Sequence, residues 1–240
     1  MSAEGAVLFA RYAYPPNALG YCGPEGAEAM LRPAAVADIE RRARQFDGAW
    51  SYLELLAEAH GSGDPLSAAV VEAYWLGSPL LDGLAPNLLV ERLRERFAGQ
   101  PGGTWRQAGD RARAHHSFQV FEVYPWAELL RAGRPVAPAL HVLDRCRIRV
   151  GEVVAAAGEA VTVSSDRLRW DPPELTVTGP VTEEARWSVG GLSLIPAPEV
   201  GDLVALHWDW VCDTVSPRQA EHLAALERRQ RRSIGRMPGV

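Results

Sequence analysis

A chain of 240 residues is long enough for one large domain or two small ones. Its 47% hydrophobic and 23% charged content is ordinary for a folded protein and excludes a wholly disordered chain, a collagen-like repeat and a disulfide mini-scaffold. A net charge of −5 argues against general attraction to nucleic acid, and no apolar run reaches the roughly 18–20 residues that cross a bilayer. Neither nucleic acid nor membrane is therefore expected as a partner. The opening MSAEGAVLFARYAYPP lacks the layout of a secretory signal, which points to the cytoplasm. All 25 basic residues are arginine, so lysine-based covalent chemistry is excluded. The three cysteines, Cys22, Cys146 and Cys212, have no Cys-x-x-Cys spacing and read as free thiols.

The first half reads as helical. Pro33 stands at a first helical position before AAVADIERRARQF, and Asp47 is placed to cap GAWSYLELLAEAH, which stops at Gly61. Asp64-Pro65 opens LSAAVVEAYWLG. Pro86 precedes NLLVERLRERFAG, where Leu89, Leu93 and Phe97 recur on one face. Residues 99–104 read as a loop. HHSFQVFEVYPW partly alternates, but its lead-in favours a helix ending before Pro125. The stretch RYAYPPNALGYCGP, residues 11–24, is too broken by Pro and Gly for a helix or strand and is expected to be a rigid loop.

From Pro138 onward the pattern becomes short and β-like: CRIRVGEVVAA, AVTVSS, RLRWD, ELTVTG, ARWSVGG and DLVALHWDWVCD. Turn signals at roughly 8–12-residue intervals suggest a small antiparallel barrel of oligonucleotide-binding or SH3-like size. Ser216-Pro217 then starts a terminal helix that leads into an arginine-rich tail. The expected fold is α+β, with a helical domain over 1–137 and a β-barrel with its terminal helix over 138–240.

Four places carry candidate chemistry. The loop around Tyr21 and Cys22 would present a thiol and a phenol to a pocket, or simply wrap the helical domain. His115 and His116 are adjacent and so point apart, which suits a single ligand or a general base, or else a capped or solvent-facing pair without a role in chemistry. In LHWDWVCD, a strand would put His207 and Asp209 on one face and Trp208 and Trp210 on the other. A His beside an Asp suits metal binding or proton transfer, whereas the plain alternative is a barrel edge. Cys212 follows on the same strand.

Residues 146–227 resemble the HypC/HupF chaperones of nickel–iron hydrogenase maturation. The likeness rests on Cys146-Arg-Ile-Arg-Val-Gly151-Glu-Val153, then Leu194-Ile195-Pro196, then Val200-Gly201-Asp202-Leu-Val-Ala-Leu-His207, then the helix after Pro217. The resemblance implies an accessory protein that carries an iron fragment on the Cys146 thiolate with His207 nearby, on adjacent strands at one barrel mouth. It also implies a partly exposed thiol and, as partner, a hydrogenase large subunit or another maturation factor. The RYAYPPN and YCGP motifs resemble a bacterial family of uncharacterised proteins. Two other readings stay open: an enzyme with a Cys/His pocket between the domains, and an interaction module without a site. The chain lacks a phosphate loop, Gly-x-Gly-x-x-Gly, His-Glu-x-x-His and Gly-x-Ser-x-Gly, which removes the commonest nucleotide and hydrolase explanations.

Overall fold

The computed structural model describes residues 3–32, 36–99, 102–133 and 135–234. Pro33, part of the loop at 99–104 and the tail beyond 234 lie outside these. Among the described residues, no helix is long and apolar enough to cross a membrane.

Helix α1 (Ala3–Ala18) runs through much of the segment expected to be a loop and contains both Pro15 and Pro16. A proline inside a helix removes a donor and costs about 3 kcal/mol. Here nearly the whole helix is enclosed: Phe9, Tyr12 and Tyr14 are buried, so burial outweighs propensity. Helices α2 (Val36–Ala43), α3 (Asp47–His60), α4 (Ala68–Trp75) and α5 (Pro86–Arg96) follow the apolar periodicity of the sequence. Their starts differ in detail. Phe46, not Asp47, takes the cap position of α3, and Ser67 precedes α4, while Asp64 Oδ1 accepts the Leu66 N–H at 3.1 Å. The short α6 (His116–Phe118) passes directly into a π-helical turn over Gln119–Val123, so the segment is helical up to Tyr124.

Two further helices, α7 (Trp126–Arg131) and α8 (Val136–Cys146), lie where the sequence showed little or nothing of them. Helix α8 straddles the expected boundary at 137/138. The β pattern therefore starts after Cys146 rather than at it.

The β region comprises β1 (Arg149–Ala157), β2 (Ala160–Asp171), β3 (Glu174–Arg186), β4 (Leu203–His207) and β5 (Trp210–Thr214). AVTVSS and RLRWD are one strand, interrupted only by a register shift between Asp166 and Leu168. Gly179-Pro180, expected as a turn, lies within β3. A proline is tolerated there because β3 meets its other neighbour, β5, only at Arg186. The order round the sheet is β1-β2-β3-β5-β4, with β4 also paired antiparallel to β1, so the sheet closes on itself. The class is α+β.

DLVALHWDWVCD is not one strand but the β4–β5 hairpin, with His207 paired to Trp210 across a turn at Trp208 and Asp209. Trp208 has φ 58°, the left-handed conformation such turns demand and usually fill with Gly or Asn. A tryptophan there costs roughly 1–2 kcal/mol. Its N–H bonds the Arg145 carbonyl at 2.7 Å, and its ring stacks on Tyr21 at 4.1 Å.

Along β4 the two-residue period sends Val204 and Leu206 into the apolar interior of the sheet, with Val153, Val163 and Val211. Ala205 joins the larger cluster of the helical half, which also takes in Ile148, Trp210 and Leu223. Apolar packing thus runs continuously from the helices onto the outside of the sheet. Arg11 on α1 ties the halves together, binding both Asp213 carboxylate oxygens at 2.9 Å and the Leu194 carbonyl at 3.1 Å. The terminal helix α9 (Pro217–Ile234) begins with the Gln219 N–H bonded to Ser216 Oγ at 3.3 Å and buries Leu223.

Candidate metal centre

Three elements from distant parts of the chain converge beside α1. His116 opens α6, Cys146 closes α8 and His207 ends β4. One donor atom from each lies within 4.8 Å of the others. All three side chains are enclosed, Cys146 keeping 9% exposure and His207 1%.

The local structure explains why each side chain is held there. A helix leaves its last carbonyls without intrahelical donors. At the end of α8 the Cys146 carbonyl accepts His116 Nε2–H at 2.8 Å, beside the Arg145–Trp208 bond described above. The helix end that carries the thiol therefore also orients one imidazole and anchors the turn after the other. His207 Nδ1–H donates to the Tyr12 carbonyl at 2.7 Å. That carbonyl would ordinarily accept the N–H of the residue four positions on, but that residue is Pro16, which has none. The proline that weakens α1 thus frees the group that aims His207.

These bonds assign the tautomers. With the proton on Nδ1, His207 Nε2 is a lone-pair donor atom, and it is buried without any hydrogen-bond partner. With the proton on Nε2, His116 presents its Nδ1 lone pair. The Tyr74 hydroxyl lies 3.4 Å from that atom and donates to the Gly48 carbonyl at 2.9 Å. A metal-binding histidine typically has its other nitrogen bonded to a carbonyl or carboxylate, and both histidines do here. Burial holds both imidazoles neutral, pushing His116 down to about 4 and His207 well below the usual value. Burial also raises the Cys146 thiol far above its ordinary range, with Cys22 adding to the effect. The thiol is therefore protonated unless a cation takes the proton's place.

The cluster lies at the wall of a cleft of about 340 Å³. Tyr21, Cys22, Tyr74, Trp75, Tyr124 and Trp208 also face it. Gly48 belongs to the same wall, where an added Cβ would come within 2.8 Å of the Tyr124 hydroxyl, so only glycine lets the two meet.

The structure brings Tyr21, Cys22, His116, Cys146 and His207 together and sets the other candidates aside. His115 is fully buried and caps α6, its Nδ1 accepting the Ser117 N–H at 3.0 Å. Asp209 is exposed at the hairpin turn rather than sharing a face with His207, because the strand ends at His207. Cys212 is buried on β5, inside the larger apolar cluster. Cys146 and His207 do not sit on adjacent strands: the cysteine ends a helix, and its thiol is nearly enclosed instead of partly exposed. The sequence singled out neither Tyr12 nor Tyr74 as a supporting group. The only hint was Pro16 inside a stretch that turned out to be helical.

Behind the site, a buried ionic network braces the same elements. Glu183 accepts Arg149 at 2.8 and 2.9 Å, Arg145 at 2.7 Å, Arg167 at 3.3 Å and the Ser165 hydroxyl at 2.6 Å. Arg149 also bonds the Trp208 carbonyl at 2.5 Å, so the turn carrying His207 is held from both sides.

No curated protein and no solved structure matches the chain. The resemblance to the HypC/HupF chaperones does not hold. A single family of unknown function takes in residues 146–227 together with the whole helical half, and Cys146, the supposed opening of the first strand, closes a helix. The ground for expecting a hydrogenase large subunit or maturation factor as partner goes with it. The chain belongs to the family of unknown function DUF6390, which matches residues 1–238.

Proposed function

We propose that this protein is a metal-handling protein that binds one transition-metal ion through Cys146 Sγ, His207 Nε2 and His116 Nδ1. The observation that carries the reading is the orphaned Nε2 of buried His207, a residue that shares a 4.8 Å cluster of donor atoms with a thiol and a second imidazole, both imidazole tautomers being set by carbonyls. One thiolate and two imidazoles suit zinc, iron, cobalt or copper and offer nothing to calcium or magnesium, which take oxygen ligands. Iron remains in the proposal as one member of that class. In a tetrahedral site with bonds of about 2.0–2.3 Å, donor atoms stand roughly 3.5 Å apart, so loading tightens the cluster by about 1 Å. The Cys146 side chain at its helix end is the part best able to move.

Three protein donors leave a fourth position open toward the cleft, the layout of a catalytic rather than a structural metal site. That favours, as a second reading, a metalloenzyme using this pocket. As part of the same proposal, the closed five-stranded sheet is a small barrel of oligonucleotide-binding or SH3-like size, supported by its strand number and the return of β4 to β1. The three unpaired thiols support a cytoplasmic protein.

The test is metal content and spectroscopy on protein purified without oxygen. Metal-free protein titrated with cobalt(II) should bind about one ion per chain and show a thiolate-to-cobalt charge-transfer band. Cys146→Ala should lose that band, and His207→Ala should weaken binding at least tenfold or so. A chain that takes up no ion, or a charge-transfer band that survives Cys146→Ala, overturns the assignment.

A further inference from the structure

Beyond the three donors, the wall of the cleft is aromatic and uncharged. Phe46, Trp75, Tyr124, Trp126 and Trp208 line it, and no Asp, Glu or Arg is among its lining residues. At about 340 Å³ it lies at the small end of ordinary ligand pockets. An open apolar cleft forgoes the burial that closing it would gain, and such surfaces on folded proteins commonly mark binding sites. Three polar atoms of its lining residues have no partner: His207 Nε2 and the indole Nε1 atoms of Trp75 and Trp208, the last two able only to donate. Buried polar atoms are nearly always hydrogen-bonded, and unpartnered ones on residues that line an open cleft suit a group that comes from outside the chain. The metal accounts for the first. The two indole N–H groups call for acceptors, and that of Trp208 belongs to the turn that follows His207.

We propose that the cleft binds a small molecule with an uncharged aromatic or aliphatic body and one polar end carrying a lone pair, seated with its body among the rings. The polar end lies where the Trp208 indole N–H and the open position of the ion can both reach it. The placement of that end rests on the metal reading above; the chemistry of the body rests on the walls alone. A body bearing a carboxylate or phosphate is excluded, since an anion placed against the negative faces of these rings has no counter-charge and loses its hydration. Tyr21, half-exposed and stacked on Trp208, brings the loop after α1 into the lining of the cleft.

Two probes separate the body from the metal. On metal-free protein, benzamide should quench tryptophan fluorescence saturably, with benzoate of the same shape at least about tenfold weaker. Ala49→Leu, which fills the cleft from α3, should abolish the quenching while circular dichroism stays unchanged. Equal affinity for benzamide and benzoate, absence of saturable quenching, or quenching that survives in folded Ala49→Leu overturns the proposal. On cobalt-loaded protein, 4-phenylimidazole should shift the visible d–d bands, and benzamide binding with bands that 4-phenylimidazole leaves unmoved overturns the placement of the polar end. If cobalt does not bind at all, the metal reading fails and the benzamide result still decides the cleft.

Discussion

Replacing Pro16 by Ala should weaken metal binding without weakening the fold. The substitution gives α1 an N–H at position 16, whose natural acceptor is the Tyr12 carbonyl. That carbonyl now holds His207 Nδ1–H at 2.7 Å, with His207 only 1% exposed. As the helix closes on its own bond, the carbonyl turns along the helix axis and the imidazole loses its fixed tautomer. A buried donor left without its partner costs about 1–3 kcal/mol, or roughly 5- to 150-fold in affinity at 1.4 kcal/mol per decade. The helix moves the other way, because an interior proline costs about 3 kcal/mol relative to alanine. The combination is diagnostic: cobalt or zinc affinity, read by competition with a chromophoric chelator, falls, while the urea midpoint of the metal-free protein stays put or rises. Unchanged metal affinity in a folded Pro16→Ala protein would show that the Tyr12 carbonyl does not govern the ligand, and the role assigned to this proline would fail.

Glu183→Gln should destabilise the protein by about 3–5 kcal/mol, because it leaves the guanidiniums of Arg145 and Arg149 without their counter-charge, while Arg167 keeps Asp144. Against the cost of burial, Arg149, Ser165 and Arg167 hold the Glu183 carboxyl down to about 2, so it stays charged across the working pH range; a chemical-denaturation midpoint within error of the parent refutes the prediction. Metal-free protein should also unfold on acidification between about pH 6.5 and 4. Burial lowers His115 to about 3 and His116 to about 4, and His207 falls further, while in the unfolded chain each protonates near 6.5. The folded state therefore keeps its full stability above pH 6.5 and loses up to about 4 kcal/mol per pH unit below it as three protons favour the unfolded chain. Near-ultraviolet circular dichroism unchanged at pH 4 would contradict this.

Local pattern determined much of the architecture. Apolar residues at three-to-four spacing in LSAAVVEAYWLG and NLLVERLRERFAG, and alternation from Arg149 onward, follow from burial of one helix face or one strand face, so α4, α5 and β1 could be read without knowing their neighbours. Ser216-Pro217 likewise marked α9, because a cap and a first-turn proline act within a few residues. Cys146 and His207 were found as candidates, and Cys22 and His116 as members of a pool that also held His115, Asp209 and Cys212. Tertiary contacts decided the rest. Helix α1 persists through Pro15-Pro16 because Phe9, Tyr12 and Tyr14 are enclosed on several sides, a gain that no propensity scale contains. The β4–β5 turn sits on a tryptophan in the left-handed region, held by Arg145, Arg149 and Tyr21 from elsewhere in the chain, so no turn residue announced it. The site itself was beyond reach for the same reason. Its three donors are separated by 30 and 61 positions, and what selects His116 over His115 is one bond to the last carbonyl of α8. Sequence records which groups are available; the direction of a lone pair depends on the acceptor that binds the opposite nitrogen, and that acceptor is supplied by packing.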